Sequence, residues 1–173
     1  MNIICIDPGT TATGLVYMSE LSIVCHETVT GKSVRTDQYE LLERLRYITR
    51  KVLAFMADKP HEAVIMEGFV GFTGRQNAFT FQTPALVFYM LRALEHAGEN
   101  IVIQTSDRVL RPGARGSVIQ ECDVDEHKGR NSSHTKVNAL RRIGWKGWES
   151  LTNDHVRAAA LHGIYYYEHK EGR

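Results

Sequence analysis

Cysteine is scarce and odd in number. Three of them (Cys5, Cys25 and Cys122) are scattered along 173 residues. That excludes a disulfide frame or a zinc knuckle and suits thiols kept reduced inside a cell. Proline is sparse too, with four residues, so each one marks a place where the chain resets. Long apolar runs are missing: charges cut every hydrophobic stretch within about ten residues, and no membrane span is expected. The N-terminus shows no basic segment followed by a long apolar one, so nothing reads as a secretory signal. Neither sign of charge dominates. A formal net charge of +1 neither points to nucleic acid nor excludes it. There is no internal repeat and no low-complexity segment. A cytoplasmic location is expected.

What is present suits one folded unit. Hydrophobic residues make up 43% and aromatic residues 9%, enough to fill a single core. One domain over 1–173 is expected, with 168–173 a polar tail that frays. The opening stretch NIICIDPGTTATGLVYM organises the rest. Ile3, Ile4, Cys5 and Ile6 form a short β-branched run, Asp7 closes it, Pro8-Gly9 turns it, and Gly14 to Tyr17 begins a second run. This reads as a buried hairpin around a hydroxyl-rich loop, with Asp7 at the very end of a central strand. Asp before Pro-Gly is also ordinary turn chemistry.

Leu21 to Thr28 reads as a third strand. Asp37 is placed to cap a helix to about Ala57, with Leu41, Leu45, Ile48, Val52 and Phe55 at helical spacing and Arg44 on the charged face. Pro60 resets the chain before the run EAVIME, which ends in Glu67. A glycine-rich loop with Phe69 and Phe72 follows, and Thr83-Pro84 resembles a helix start. Ile101 to Thr105 is a fifth strand. Residues 106–122 read as irregular, 122–130 as a mobile loop, and Ser132 or Ser133 as the cap of a helix with Val137, Leu140 and Ile143 inward. Gly144 breaks that helix, and Thr152 or Asn153 caps the last one. Three strands followed by alternating helices and strands predict an α/β fold, a five-stranded mixed sheet flanked by helices.

Three acids stand out: Asp7, Glu67 and Asp154. The first two end strands, and the third opens the last helix. On parallel neighbouring strands the first two would sit roughly 4.8 Å apart. Converging carboxylates repel, and a hard divalent cation is the usual remedy. Two such ions about 4 Å apart activate water and stabilise the leaving oxygen of a phosphodiester. Taken singly, each acid has a structural explanation: helix dipole for Asp154, a strand-end salt bridge for Glu67. From Lys128 to Lys146 there are six basic residues and no acidic one, a patch able to attract phosphate or simply to be a solvated face.

IDPGTTATG, VIMEGF and NDHVRAAALHG, in that order and spacing, resemble the RuvC family of Holliday junction resolvases, in the ribonuclease H-like superfamily. The resemblance runs from Asn2 to about Ile164, and the phage and bacterial RuvC-like group is the nearest in flavour. It implies a ribonuclease H-like fold and a homodimer on branched DNA, the four-way Holliday junction. Each subunit would nick one strand with Mg²⁺ or Mn²⁺, two ions per active site, in a bacterium or a phage-infected host cell. It makes Asp7 and Glu67 metal ligands, with Asp154 and His155 as the candidates on the last helix. Phe69 or Phe72 becomes an aromatic wedge stacking on a base. Arg75, Lys128, Arg130, His134 and Lys136 become DNA contacts.

One departure bears on catalysis. Family members place two ligands three residues apart on the last helix. Here one register sets Asp154 with Arg157, and the other sets His155 with Ala158; neither keeps both ligands. In the second, Ala158 stands where the family has its last carboxylate, which implies impaired cleavage with junction binding intact. Other readings are a junction-binding protein without an enzyme's site, or a nuclease for other branched DNA or RNA. IDPGTTATG also resembles the first phosphate loop of actin-like ATPases, but those need two such domains.

Overall fold

The computed structural model describes residues 1–31, 38–68, 81–124 and 132–170. The opening run forms strand β1 (Asn2–Asp7), which pairs antiparallel with β2 (Ala12–Ser19), and β3 (Ser22–Thr30) continues the meander. Helix α1 (Gln38–Met56) precedes β4 (Ala63–Gly68), which lies parallel to β1. Helix α2 (Gln82–His96) precedes β5 (Ile101–Thr105), parallel to β4. The sheet order is β3-β2-β1-β4-β5, the mixed five-stranded arrangement that the sequence predicts. Three more helices follow: the short α3 (Ser106–Val109), α4 (Ser133–Ile143) and α5 (Asp154–Lys170). No helix among the described residues is long and apolar enough to cross a membrane.

Both faces of β1 and β4 are covered, so their apolar runs are continuous rather than alternating. Ile4, Ile6, Val64 and Met66 face α1 and α2, joining Leu45, Ile48, Val52, Phe55, Leu86 and Met90. Ile3, Cys5, Ala63 and Ile65 face the other way, joining Ala139 and Leu140 of α4 and most of α5. The helical spacing in α1 is therefore real, but Arg44 departs from its expected solvent face and is 8% exposed. Its side chain lies against Gly31 at the end of β3; a long stem can cover backbone that the charge pattern does not reveal.

Helix α2 starts before Thr83-Pro84, with Phe81 as its N-cap. Pro84 is tolerated because amides of the first turn lack intrahelical partners anyway. Residues 106–122 are more ordered than they read. They open with α3 and bury Val109, Leu110, Val118 and Ile119. Asp123, expected in a mobile loop, is 2% exposed. Arg142 of α4 clasps it, with Nε 3.0 Å from Oδ1 and Nη2 2.9 Å from Oδ2, a bidentate pair that no local periodicity announces. In α4, Ser132 is the cap and accepts from the Thr135 amide. Leu140 is buried as expected, whereas Val137 and Ile143 are only half-buried and Thr135 and Ala139 fill the core instead.

Helix α5 is capped by Asn153, whose Oδ1 accepts from the His155 amide at 2.8 Å. It continues to Lys170, past the point where the polar composition suggested fraying. His169 stacks on Tyr165, and the Tyr167 hydroxyl donates to the Met1 carbonyl at 2.6 Å. Residues 171–173 lie outside the described residues. Trp145 packs edge-on against Tyr167, their ring centres 5.2 Å apart.

Candidate active site

Strand parity builds the site. On β1, Ile3 and Cys5 face α5, so Asp7 does too; on β4, Ala63 and Ile65 place Glu67 on the same side. Ile6 pairs with Met66 across the parallel ladder, which sets Asp7 and Glu67 next to each other at the carboxyl ends of adjacent strands. Their side chains are close enough to interact directly, each affecting the other's proton affinity. Helix α5 closes over them. It can approach so closely because two positions carry no Cβ. One at Gly14 would run into the His155 carbonyl group, and one at Gly163 would lie 2.6 Å from Cys5 Sγ. The result is a cleft of about 480 Å³ lined by Asp7, Glu67, Asp107, Arg111, Lys136, Asp154, His155 and Ala158 among others.

The two carboxylates have different surroundings. Asp7 is 9% exposed, and burial pushes its carboxyl up to about 6. The Asp7–His155 hydrogen bond opposes that rise, and the Glu67 charge adds to it. His155 Nδ1 lies 2.8 Å from Asp7 Oδ2, and that bond raises the imidazole's own proton affinity against the effect of burial. Burial also acts upward on Glu67, but His162 nearby, then Asp7 and Ser106, outweigh it and leave its carboxyl below the usual value. His162 Nε2 is 3.4 Å from Glu67 Oε2, within ion-pair range though not aligned as a hydrogen bond.

Of the two registers open on α5, the structure turns His155 and Ala158 toward the strand-end acids. Arg157 points elsewhere, donating to the Leu151 carbonyl at 2.8 Å and to Ser133 Oγ at 2.6 Å. Ala158, 3% exposed, forms part of the cleft wall. Asp154 lies at the cleft but binds Lys136, whose Nζ is 2.6 Å from Oδ2. Its other oxygen, Oδ1, is shielded and has no hydrogen-bond partner among the described residues. Lys136, expected on phosphate, is thus engaged with an acid. In the same stretch Arg142 is held by Asp123, and the exposed Arg141 lies 6.0 Å from the centre of the Trp148 ring. His134 is exposed on the first turn of α4. Phe69, Phe72, Arg75, Lys128 and Arg130 lie outside the described residues.

The sequence pattern gives His162 and Gln104 no partner; in the structure His162 touches Gln104 at Nδ1 and faces Glu67 at Nε2. His155, Ala158 and His162 recur at i, i+3 and i+7, one face of a helix, and that spacing was the available signal.

The donor set suits a hard divalent cation only in part. Asp7 and Glu67 bring anionic oxygens together in a buried place, and Asp154 Oδ1 is an unsatisfied oxygen nearby, the ligand chemistry that Mg²⁺ or Mn²⁺ prefers. Among the described residues, however, no three His, Cys, Asp or Glu side chains are already spaced as a complete cage. Ala158, in the cleft wall, offers no donor atom.

No protein-family model and no curated protein matches the chain in sequence. Solved structures do match. Thermus thermophilus RuvC superposes with a TM-score of 0.66 at 20% identity, over 98% of this chain and 97% of that one. RuvC of T. thermophilus in complex with Holliday junction substrate gives 0.64 at 21% identity, over 97% and 95%. The yeast mitochondrial Holliday junction resolvase Ydc2 gives 0.57 at 8% identity, over 98% and 83%. The mixed sheet with its flanking helices is therefore the RuvC, ribonuclease H-like fold.

Proposed function

We propose that this chain is a metal-dependent endonuclease that binds four-way (Holliday) DNA junctions as a homodimer and nicks them, in recombination, repair or phage DNA processing. The observation that carries this is the meeting of Asp7 and Glu67 under α5, in the fold of proteins that resolve junctions. Asp7 and Glu67 would hold Mg²⁺ or Mn²⁺, with His155 and Asp154 at the edge of the same cleft. When bound, such ions supply an activated water and charge stabilisation for the leaving 3′-oxygen. The chain's own residues do the rest. His155 orients the Asp7 carboxylate, the Asn153 cap fixes the start of α5, and Lys136 holds Asp154 in place. Asp7 is the most shielded of these carboxylates, its side chain 13% exposed, and low exposure strengthens its interaction with a cation entering the cleft.

Ala158 favours a specific form of this reading, in which junction binding is intact and nicking is slow. A second ion would lack a carboxylate there, while the side chains expected to contact DNA remain in the chain. The test is to measure junction binding and strand nicking on the parent and on Ala158→Asp, with Mg²⁺ and with Mn²⁺. The expected outcome is equal binding and nicking faster by a factor on the order of 10² in the variant. Equal, fast nicking by both chains would discard the role given to position 158. Absence of junction binding in both would discard the substrate.

A further inference from the structure

Buried imidazoles are costly unless both ring nitrogens are used. His162 is fully buried on α5, seven residues beyond His155 and on the same helical face. Its Nδ1 is 3.0 Å from Gln104 Oε1; its Nε2 has no hydrogen-bond partner among the described residues and faces Glu67 Oε2 at 3.4 Å, within ion-pair range. Glu67 and Gln104 are direct partners in the β4–β5 ladder, so their side chains rise from the same face of the sheet side by side. The imidazole comes down from the helix and spans both. A ring claimed at Nδ1 by one strand and facing a carboxylate at Nε2 cannot turn without giving up a contact in a place that water does not reach.

We infer that His162 is a positioning residue: bridging Gln104 and Glu67, it holds the Glu67 carboxylate aimed into the cleft beside Asp7, ready for a cation. This rests on the metal-dependent reading proposed above. It assigns His162 no contact with substrate and no proton transfer. Gln104 anchors the ring from β5, and the ring limits the rotamers open to Glu67. That limit matters here because Ala158 provides no ligand of its own, so the cation depends more heavily on the geometry of the two strand-end acids. Groups that orient a metal ligand from behind commonly change metal affinity about ten- to a hundredfold when removed.

The experiment measures Mn²⁺ binding by electron paramagnetic resonance titration, alongside thermal unfolding without metal and junction binding without metal. The chains are the parent, His162→Leu, His162→Gln and Gln104→Leu. The parent is expected to bind Mn²⁺. His162→Leu keeps the bulk and is expected to fold while binding Mn²⁺ about ten- to a hundredfold more weakly, with junction binding unchanged. His162→Gln retains an amide that reaches toward Glu67 and is expected to recover most of the affinity. Gln104→Leu should lose an intermediate amount. If His162 were only filling the core, melting temperatures would move and Mn²⁺ affinity would not. A folded His162→Leu with parental Mn²⁺ affinity therefore overturns the inference. If His162→Leu fails to fold, parental affinity in Gln104→Leu does the same. A parent that binds no Mn²⁺ overturns the metal-dependent reading itself, a result distinct from either.

Discussion

A carboxyl group pushed up to about 6 by burial has consequences that can be followed without any substrate. In the metal-free protein, Asp7 takes up a proton more readily folded than unfolded. Its contribution to stability is fully present below the ordinary carboxyl range and is lost as pH rises from about 4 through 6. His155 is also raised, so its contribution holds below its ordinary value of 6.5 and is lost as pH climbs through the higher folded one. The two groups titrate as a pair and share a sign, losing stability from mildly acidic to neutral pH; Glu67, held below its usual value, acts the other way, and only at lower pH. Asp7→Asn removes the buried charge and is expected to stabilise the metal-free chain at pH 7 by up to about 3 kcal/mol. Chemical unfolding at pH 4 and pH 7 measures this, and the gain should vanish at pH 4. The same substitution should abolish nicking. Mg²⁺ added to the parent at pH 7 should raise its melting temperature, and should do so far less in Asp7→Asn, because only the ionised site binds the cation.

Helix α5 is the element on which the site depends, and its placement rests on residues too small to attract notice. In an ordinary helix interior, Gly→Ala stabilises by up to about 1 kcal/mol. At Gly163 the added methyl would meet Met18 Sδ and Cys5 Sγ, the latter at 2.6 Å, both in a core with no slack. Gly163→Ala is therefore expected to destabilise by about 1–3 kcal/mol. It should also slow nicking by lifting His155 away from Asp7; urea unfolding and junction cleavage read the two effects separately. Much of this element was legible in advance. The apolar runs and their closing acids announced β1 and β4, and a cap at Thr152 or Asn153 with two possible registers announced the helix and its candidate faces. The choice between those faces was not legible, because the hydrogen bonds of Arg157 to Leu151 and Ser133 are set by packing between distant segments. Nor was the clasp of Asp123 by Arg142, which orders a stretch with no periodicity of its own. The link from Glu67 through His162 to Gln104 joins three elements, and only its helical part leaves a trace in the sequence.

At the scale of the whole molecule, α2 presents two large aromatics: Phe81 and Phe88, seven residues apart at its start and middle, are 59% and 67% exposed. If the chain pairs with a second copy as proposed, covering such side chains is an effective way to hold it, since aromatic residues carry much of the energy of interfaces. Sedimentation velocity should then find a dimer for the parent and a monomer for Phe88→Asp, with metal binding retained in each subunit. The site itself has a further property that follows from chain connectivity. The hydrogen bond between Asp7 and His155 joins positions 148 residues apart. Ribosomes release the first of these long before the second, so a growing polypeptide carries its strand-end acids bare, with no helix to close above them. If the chain cuts DNA as proposed, a product that stops short of α5 (Asp154–Lys170) would lack the completed site.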